Sequence, residues 1–223
     1  MIKNLKSFLV RSIRKTTRQN LEPFLERYAT DKRVLDLGAG GSSYSRFFPN
    51  RLSVDIDADR KPDIVADAHH LPFKDNEFEV VLSTEMLEHV KNPFQVEREL
   101  HRVTAPGGML ILSTRFVFPL HDTPHDYWRY TKYGLQELFQ KWEIIELVGE
   151  TQNFSTIGAL LQRICFQSRL RFNNITKAAI FVAASFFSHL DWLTQKEFGD
   201  IKKSIAETGL MPTGYYLVCR KKA

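Results

Sequence analysis

The sequence predicts an α/β chain built on a mostly parallel sheet with helices on both faces, and three observations carry that expectation. Short apolar runs recur: Arg33–Gly38, Leu52–Ile56, Asp63–Ala66, Phe78–Ser83 and Met109–Ser113. Helix-like stretches stand between several of them, such as Pro93 to Val103, which stops before Ala105-Pro-Gly-Gly108. Short, largely apolar runs that alternate with helices imply a parallel sheet covered on both faces.

Taken in order, residues 1–32 read as a basic helical segment. Ile2, Leu5, Phe8, Leu9 and Ile13 recur at the spacing of one helix face, and Leu21, Phe24, Leu25 and Tyr28 continue it. From residue 33 the period changes to that of strands, and residues 33–223 form the main domain. Residues 131–141 predict a helix with Thr131 as its cap. Glu143–Val148 and Gly214–Cys219 complete a set of seven strands. Between those two, residues 150–213 read mostly as a helical insert. Its apolar stretch from Ala178 to Ser188 is eleven residues long, against about twenty needed to span a bilayer, and predicts a buried core or lid helix.

With 43% hydrophobic and 26% charged residues among 223, the composition is that of one ordinary globular domain. The formal charge of +5 is concentrated at one end. Residues 1–33 hold nine Lys/Arg and three Asp/Glu, while the rest of the chain is close to neutral. The basic balance therefore gives no clear nucleic-acid signature for the main domain. Residues 1–20, with six Lys/Arg and no acid, fit a solvated helix face or peripheral contact with an anionic membrane at the inner membrane surface. Cys165 and Cys219 match no metal or redox spacing, and Lys3, Lys6, Arg11 and Arg14 break the first apolar stretch. Both features predict a cytoplasmic protein.

Val34-Leu-Asp-Leu-Gly-Ala-Gly-Gly is a strand running into a glycine turn. Gly38 and Gly40 let the backbone turn sharply and let a ligand approach it. Ser43 stands where a third glycine would complete a pyrophosphate-binding turn, and Asp36 just ahead would repel a pyrophosphate but suits an ammonium group. Asp55 ends the second strand, where a carboxylate can accept both hydroxyl hydrogens of a ribose. Asp57 is a rival for that position. Asp67, at the end of the third strand, can accept from an adenine amino group beside the backbone of Ala68. Each Asp taken singly also reads as a cap or turn residue.

The order VLDLGAG, SVDID, DIVADAHHLPF, FEVVLSTEMLEHV and APGGMLIL resembles the class I S-adenosylmethionine-dependent methyltransferases, especially the methyltransferase-11 group, over about residues 33–114. The resemblance implies a Rossmann-like three-layer sandwich with a seven-stranded sheet whose last strand is antiparallel. It also implies S-adenosyl-L-methionine as cofactor and a small-molecule, glycan or lipid-like acceptor. It assigns Gly38 and Gly40 to the methionine, Asp55 to the ribose, and Asp67 with Ala68 to adenine; Asp36 and Ile56 join the cofactor set. Ser83 and Glu85 are placed near the sulfonium. The seven residues between Asp55 and Asp63, Pro62 among them, reduce the usual second crossover helix to a turn.

Phe118-Pro-Leu-His-Asp-Thr-Pro-His-Asp-Tyr-Trp-Arg-Tyr130 carries two His-Asp pairs, three aromatics after the second pair and an arginine. It predicts acceptor contacts. His125 is the candidate general base, oriented by Asp126 or Asp122. The competing readings are turn-capping aspartates with packed aromatics, and a metal held by His121 and His125; no metal is assigned. His89 reads as structural. The rival functions are a non-catalytic S-adenosylmethionine-binding module and an NAD-type oxidoreductase, the latter disfavoured by Ser43 and Asp36. Acceptor identity, the methylated atom and oligomeric state are not written in the sequence.

Overall fold

The computed structural model describes residues 16–41 and 44–222. Seven strands form one sheet: β1 (Val34–Leu37), β2 (Arg51–Asp55), β3 (Ile64–Val65), β4 (Phe78–Thr84), β5 (Thr104–Arg115), β6 (Trp142–Gly149) and β9 (Gly214–Lys221). Their order is β3-β2-β1-β4-β5-β9-β6. β1 pairs in parallel with β2 and β4, β2 with β3, and β4 with β5, whereas β9 runs antiparallel to β5. The order reverses between β1 and β4, so their carboxyl ends open the crevice where ligands bind in sheets of this kind.

The strand assignments follow from burial. All four residues of β1 are buried, and in β4 only Glu79 is exposed. α2 (Pro93–Val103) covers the sheet with Val96, Leu100 and Val103 at helical spacing. Asn92 caps it by accepting from the Gln95 N–H at 3.1 Å, and Pro93 occupies its first turn. α3 (Lys132–Leu138) is capped by Thr131, whose hydroxyl accepts from the Gly134 N–H at 3.0 Å, and it stops three residues short of the predicted end. The second crossover is a single 3-10 turn, Ala58–Arg60. β5 begins earlier than the sequence suggests, at Thr104, running through Ala105-Pro-Gly-Gly108 with a register shift against Phe78 and Val80.

The chain divides into two compact units. The sheet unit comprises residues 24–116, 120–148 and 214 onward. It begins in the last turn of α1 (Thr16–Glu26), where Phe24 stacks on Tyr216 with ring centroids 4.5 Å apart. Arg27 and Tyr28 both bond the Glu146 carboxylate of β6. The expectations for Ile2, Leu5, Phe8, Leu9 and Ile13 lie outside the described residues.

The other unit holds residues 149–213 with 117–119 and the described residues up to Pro23. α4 (Asn153–Gln167) and α5 (Asn173–Phe187) pack closely at Gly158, where a Cβ would stand 2.7 Å from the Ala184 carbonyl oxygen. The expectation of a buried helix at 178–188 is corrected: Ala184 alone is buried in α5, while Val182 and Phe186 are exposed. The helix is apolar on every face, but α4 covers only one of them. Beyond it the predicted helix gives way to a small antiparallel pair, β7 (Glu197–Phe198) and β8 (Ala206–Glu207). Asp200 closes that turn by accepting from the N–H groups of Ser204 and Ile205, both at 2.9 Å. Among the described residues no helix is long and apolar enough to cross a membrane.

Gly38 and Gly107 have nearly the same left-handed backbone, φ +71° and +73°, but different surroundings. A Cβ at Gly38 would lie 2.6 Å from Met86 Cβ, and one at Gly107 meets nothing within 4 Å. Gly107→Ala is expected to cost only the conformational penalty, about 1–2 kcal/mol. Gly38→Ala adds the clash and should exceed it by roughly 1 kcal/mol or more in urea unfolding. Equal losses would show that the β1 turn tolerates a side chain.

Candidate functional site

The carboxyl ends of the parallel strands bring the glycine turn and the acidic residues to one edge. The Gly38 and Ala39 N–H groups both donate to the Val54 carbonyl, at 2.8 and 3.2 Å, which ties the end of β1 to β2. Asp55 then bridges the two strand ends. Its Oδ2 accepts from the Gly40 N–H at 2.8 Å and its Oδ1 from the Asp57 N–H at 2.9 Å. A carboxylate has about four acceptor positions, so each oxygen retains capacity toward a ligand. Asp57 is engaged locally instead: it accepts from the Asp59 N–H at 3.0 Å and pairs with Arg60 at 3.2 Å. Of the two rivals, Asp55 is the one bonded to the glycine turn. Ile56, beside it, is 69% exposed.

Asp67 follows β3 and receives both the N–H and Nδ1 of His69, at 2.9 and 2.6 Å. Burial opposes its charge, but these bonds prevail and hold its carboxyl below the usual range. Ala68 next to it belongs to the core.

Asp36 is fully buried and ion-paired to Arg51. Burial pushes its carboxyl up to about 6 against the opposing pull of Arg51. Its Oδ1 and the Ser83 hydroxyl are both buried without a hydrogen-bond partner. Glu85 carries a left-handed backbone, φ +52°, held by its N–H on the Ser113 carbonyl at 2.9 Å. Its carboxylate pairs with Arg115, buried at the end of β5.

The segment after β5 differs from its expected arrangement. Asp126 does not orient His125. Arg129 clamps it through two hydrogen bonds of 2.6 and 2.7 Å, and the His121 N–H adds a third at 3.0 Å. Burial works against that charge, yet the Arg129 and His121 bonds hold the Asp126 carboxyl at about 2. His125 meets the Tyr127 hydroxyl through Nδ1 at 3.0 Å. The aromatics strap the segment to the 3-10 turn Leu87–His89: the N–H groups of Tyr127 and Trp128 donate to the Glu88 carbonyl, and the Tyr130 hydroxyl donates to that of Leu87. Trp128 Nε1 donates to the Val90 carbonyl at 2.9 Å.

Residues 35–112 match the family described as a methyltransferase domain. Over those residues the chain carries a methyltransferase domain. Over 102 residues it is 35% identical to the ubiquinone biosynthesis O-methyltransferase of Pseudomonas aeruginosa, covering 37% of this chain and 44% of that one. The chain thus spans less than half the length of this relative. The methyltransferase domain is also similar in structure to the [4+2]-cyclase SpnF (TM-score 0.56, 17% identity, covering 93% of this chain and 82% of that one). A second likeness is to the phosphoethanolamine N-methyltransferase 2 of Haemonchus contortus in complex with S-adenosyl-L-methionine (TM-score 0.55, 18% identity, 92% and 53%). At these identities the shared feature is the fold, and one neighbour is titled a cyclase, so chemistry has to be argued from the site.

The residues present fit an adenosyl cofactor with an amino acid tail. Gly38 and Gly40 keep the turn's backbone bare at two positions, the Asp55 carboxylate sits at the switch point, and two buried polar atoms, Asp36 Oδ1 and Ser83 Oγ, lack partners. Sequence reasoning missed Arg51, Arg115 and Met86, which hold Asp36, Glu85 and Gly38 respectively. The signal for Arg115 was an arginine closing an otherwise apolar strand.

Asp36 makes its burial testable. Its carboxyl lies at about 6 in the fold against an ordinary 3.8. The fold therefore binds that proton more tightly than the unfolded chain, and this stability is complete below about 4 and lost as pH rises through about 6. Asp36→Asn removes the loss. Its stability relative to wild type is expected to improve by about 2 kcal/mol between pH 4.5 and 7 in urea melts. A difference that stays flat across that range would show that Asp36 is charged throughout.

Proposed function

We propose that the chain transfers a methyl group from S-adenosyl-L-methionine to a small-molecule, glycan or lipid-like acceptor. The observation that carries this is the Asp55 carboxylate bonded to the Gly40 N–H in the glycine turn at the β1/β4 reversal. The P. aeruginosa relative, titled an O-methyltransferase, favours a hydroxyl acceptor. When bound, the cofactor supplies an electrophilic methyl on a sulfonium. The protein's part is to position the acceptor and to take its proton.

In this reading Asp55 holds the ribose hydroxyls, with Ile56 against the base, and Asp67 with Ala68 receives the adenine edge. Gly38 and Gly40 admit the methionine chain, whose ammonium complements Asp36, and Ser83 and Glu85 line the wall beyond. The buried Arg115 fixes the Glu85 carboxylate. His125 takes the acceptor proton, positioned by Tyr127 rather than by Asp126. Asp126 acts at one remove, holding the strap through Arg129 and His121.

Calorimetry is expected to show binding of S-adenosylmethionine or its demethylated product, with NAD failing to compete. Asp55→Ala should lose about 1.5–3 kcal/mol of that binding, whereas Asp57→Ala, whose carboxylate serves its own turn, should leave it unchanged. Tight NAD binding without a response to S-adenosylmethionine would overturn the cofactor assignment. Release of demethylated cofactor from labelled substrate distinguishes an enzyme from a binding module.

His125→Ala should lower turnover about 100-fold or more, the usual contribution of a positioned base, with cofactor affinity preserved. Unchanged turnover with the true acceptor would return His125 to the strap's scaffolding.

A further inference from the structure

Glu88, His89 and His121 converge beside the strap, and among the described residues they form the group able to hold a metal ion. One ligand atom from each lies within 4.8 Å of the others. Glu88 is fully buried. Its Oε2 accepts from the Thr114 hydroxyl at 2.9 Å, but its Oε1 has no hydrogen-bond partner and stands 3.8 Å from His121 Nε2. A buried carboxylate oxygen left so is costly and requires an explanation.

The two histidines are placed alike but supported differently. His89 donates its Nδ1–H to the His125 carbonyl at 2.6 Å, which leaves Nε2 as its ligand atom. His121 places Nδ1 3.4 Å from Asp126 Oδ2, and Asp126 is in turn clamped by Arg129. Metal-bound histidines donate their second ring N–H to a carbonyl or carboxylate; His89 already does so, and His121 has the Asp126 carboxylate 3.4 Å from Nδ1 to take that bond when the ion enters. We propose that Glu88, His89 and His121 bind a divalent transition-metal ion of the zinc class.

Two imidazoles and one carboxylate suit zinc or ferrous ions, whereas magnesium and calcium prefer oxygen throughout. Three protein ligands leave a fourth position open. Asp122 Oδ2, 4.0 Å from His89 Nε2, is near enough to fill it after a small movement, as is a water or an acceptor oxygen. Ligand bonds of about 2.0–2.1 Å place tetrahedral ligands about 3.3 Å apart, so the Glu88–His121 separation of 3.8 Å shortens by about half an ångström as the ion enters, and the widest pair by at most about 1.5 Å. The ion would staple residue 121 of the strap to the turn at 88–89. The sequence pairing of His121 with His125 is not formed; His89, read as structural, takes the second place. The proposal does not depend on the methyl-transfer reading.

The competing account makes His121 a protonated counter-ion between Glu88 and Asp126, with no metal. Full-length protein stripped by a chelator and titrated with Co2+, followed by Zn2+ competition, separates the two. One equivalent of Co2+ should give visible d–d absorption that Zn2+ abolishes. His89→Ala and His121→Ala should each weaken Co2+ binding about tenfold or more. His125→Ala, which keeps its backbone carbonyl, should bind as wild type does. Glu88→Gln, nearly isosteric, repeats the test should either histidine variant fail to fold. Absence of d–d absorption at stoichiometric Co2+, or binding undiminished in the folded ligand variants, overturns the site and leaves His121 as counter-ion.

Discussion

Where β1 ends, the chain must turn within a space already filled by the side chain that follows β4. Gly38 meets that constraint: its left-handed φ aims the N–H at the Val54 carbonyl, and its missing Cβ makes room for Met86. The rest of the edge is built outward from this contact. With β1 and β4 adjacent and their carboxyl ends locked, Gly40 is placed to donate to Asp55, and Asp55 in turn carries the Asp57 N–H that starts the next turn. One steric accommodation thereby sets the mouth of the crevice, and the hydrogen bonds that follow are consequences of it.

Around that mouth the fold keeps charge inside. Asp36 pairs with Arg51 between β1 and β2, Glu85 after β4 pairs with Arg115 at the end of β5, and Glu88 in the turn after β4 faces His121. Buried pairs of this kind seldom add net stability, because desolvation offsets much of the Coulomb attraction, but removing one partner is expensive. Their placement is therefore better understood as function or orientation than as a source of stability. The half-satisfied atoms point the same way. Asp36 Oδ1, Ser83 Oγ and Glu88 Oε1 are buried polar atoms without hydrogen-bond partners, the first two within β1 and β4 and the third in the turn that follows β4. A core built for stability alone would have filled such positions with apolar groups.

The sheet was legible because its evidence is local: β1 and β4 are apolar on both faces, and Asn92-Pro93 and Thr131 are chemically typical helix starts. The glycine turn and Asp55 were legible for the same reason. What failed was whatever depends on a partner distant in sequence. α5 is apolar enough to be core, yet burial requires covering surface, and α4 supplies it only along Ala184. β7 and β8 escaped notice because two-residue strands leave no periodicity to read. In the 118–130 segment the pairs that the sequence suggested are not the ones that form. His125 and Asp126 are adjacent in the chain, but Asp126 is drawn to Arg129 three residues on, and His89 comes from thirty-two residues upstream to join His121.

That exchange of partners alters what the strap is. A segment rich in histidine, aspartate and aromatics suggests a cluster of reactive groups, but most of its polar atoms are bonded to the turn at 87–90 or to one another. Its aromatics act as amphipathic anchors: the Tyr130 ring is buried, and Tyr130 and Trp128 each donate one hydrogen bond to a carbonyl of the turn. The segment is thus held as a rigid wall beside the ends of β4 and β5, and rigidity is what methyl transfer asks of a protein. The electrophile arrives already activated, so rate depends on alignment more than on reactive side chains. The same scaffold with a differently shaped wall would align a different reaction, consistent with a fold shared by methyltransferases and a cyclase. On the proposed reading the strap's shape selects the acceptor, and Asp126, Arg129 and the Glu88 carbonyl together hold that shape.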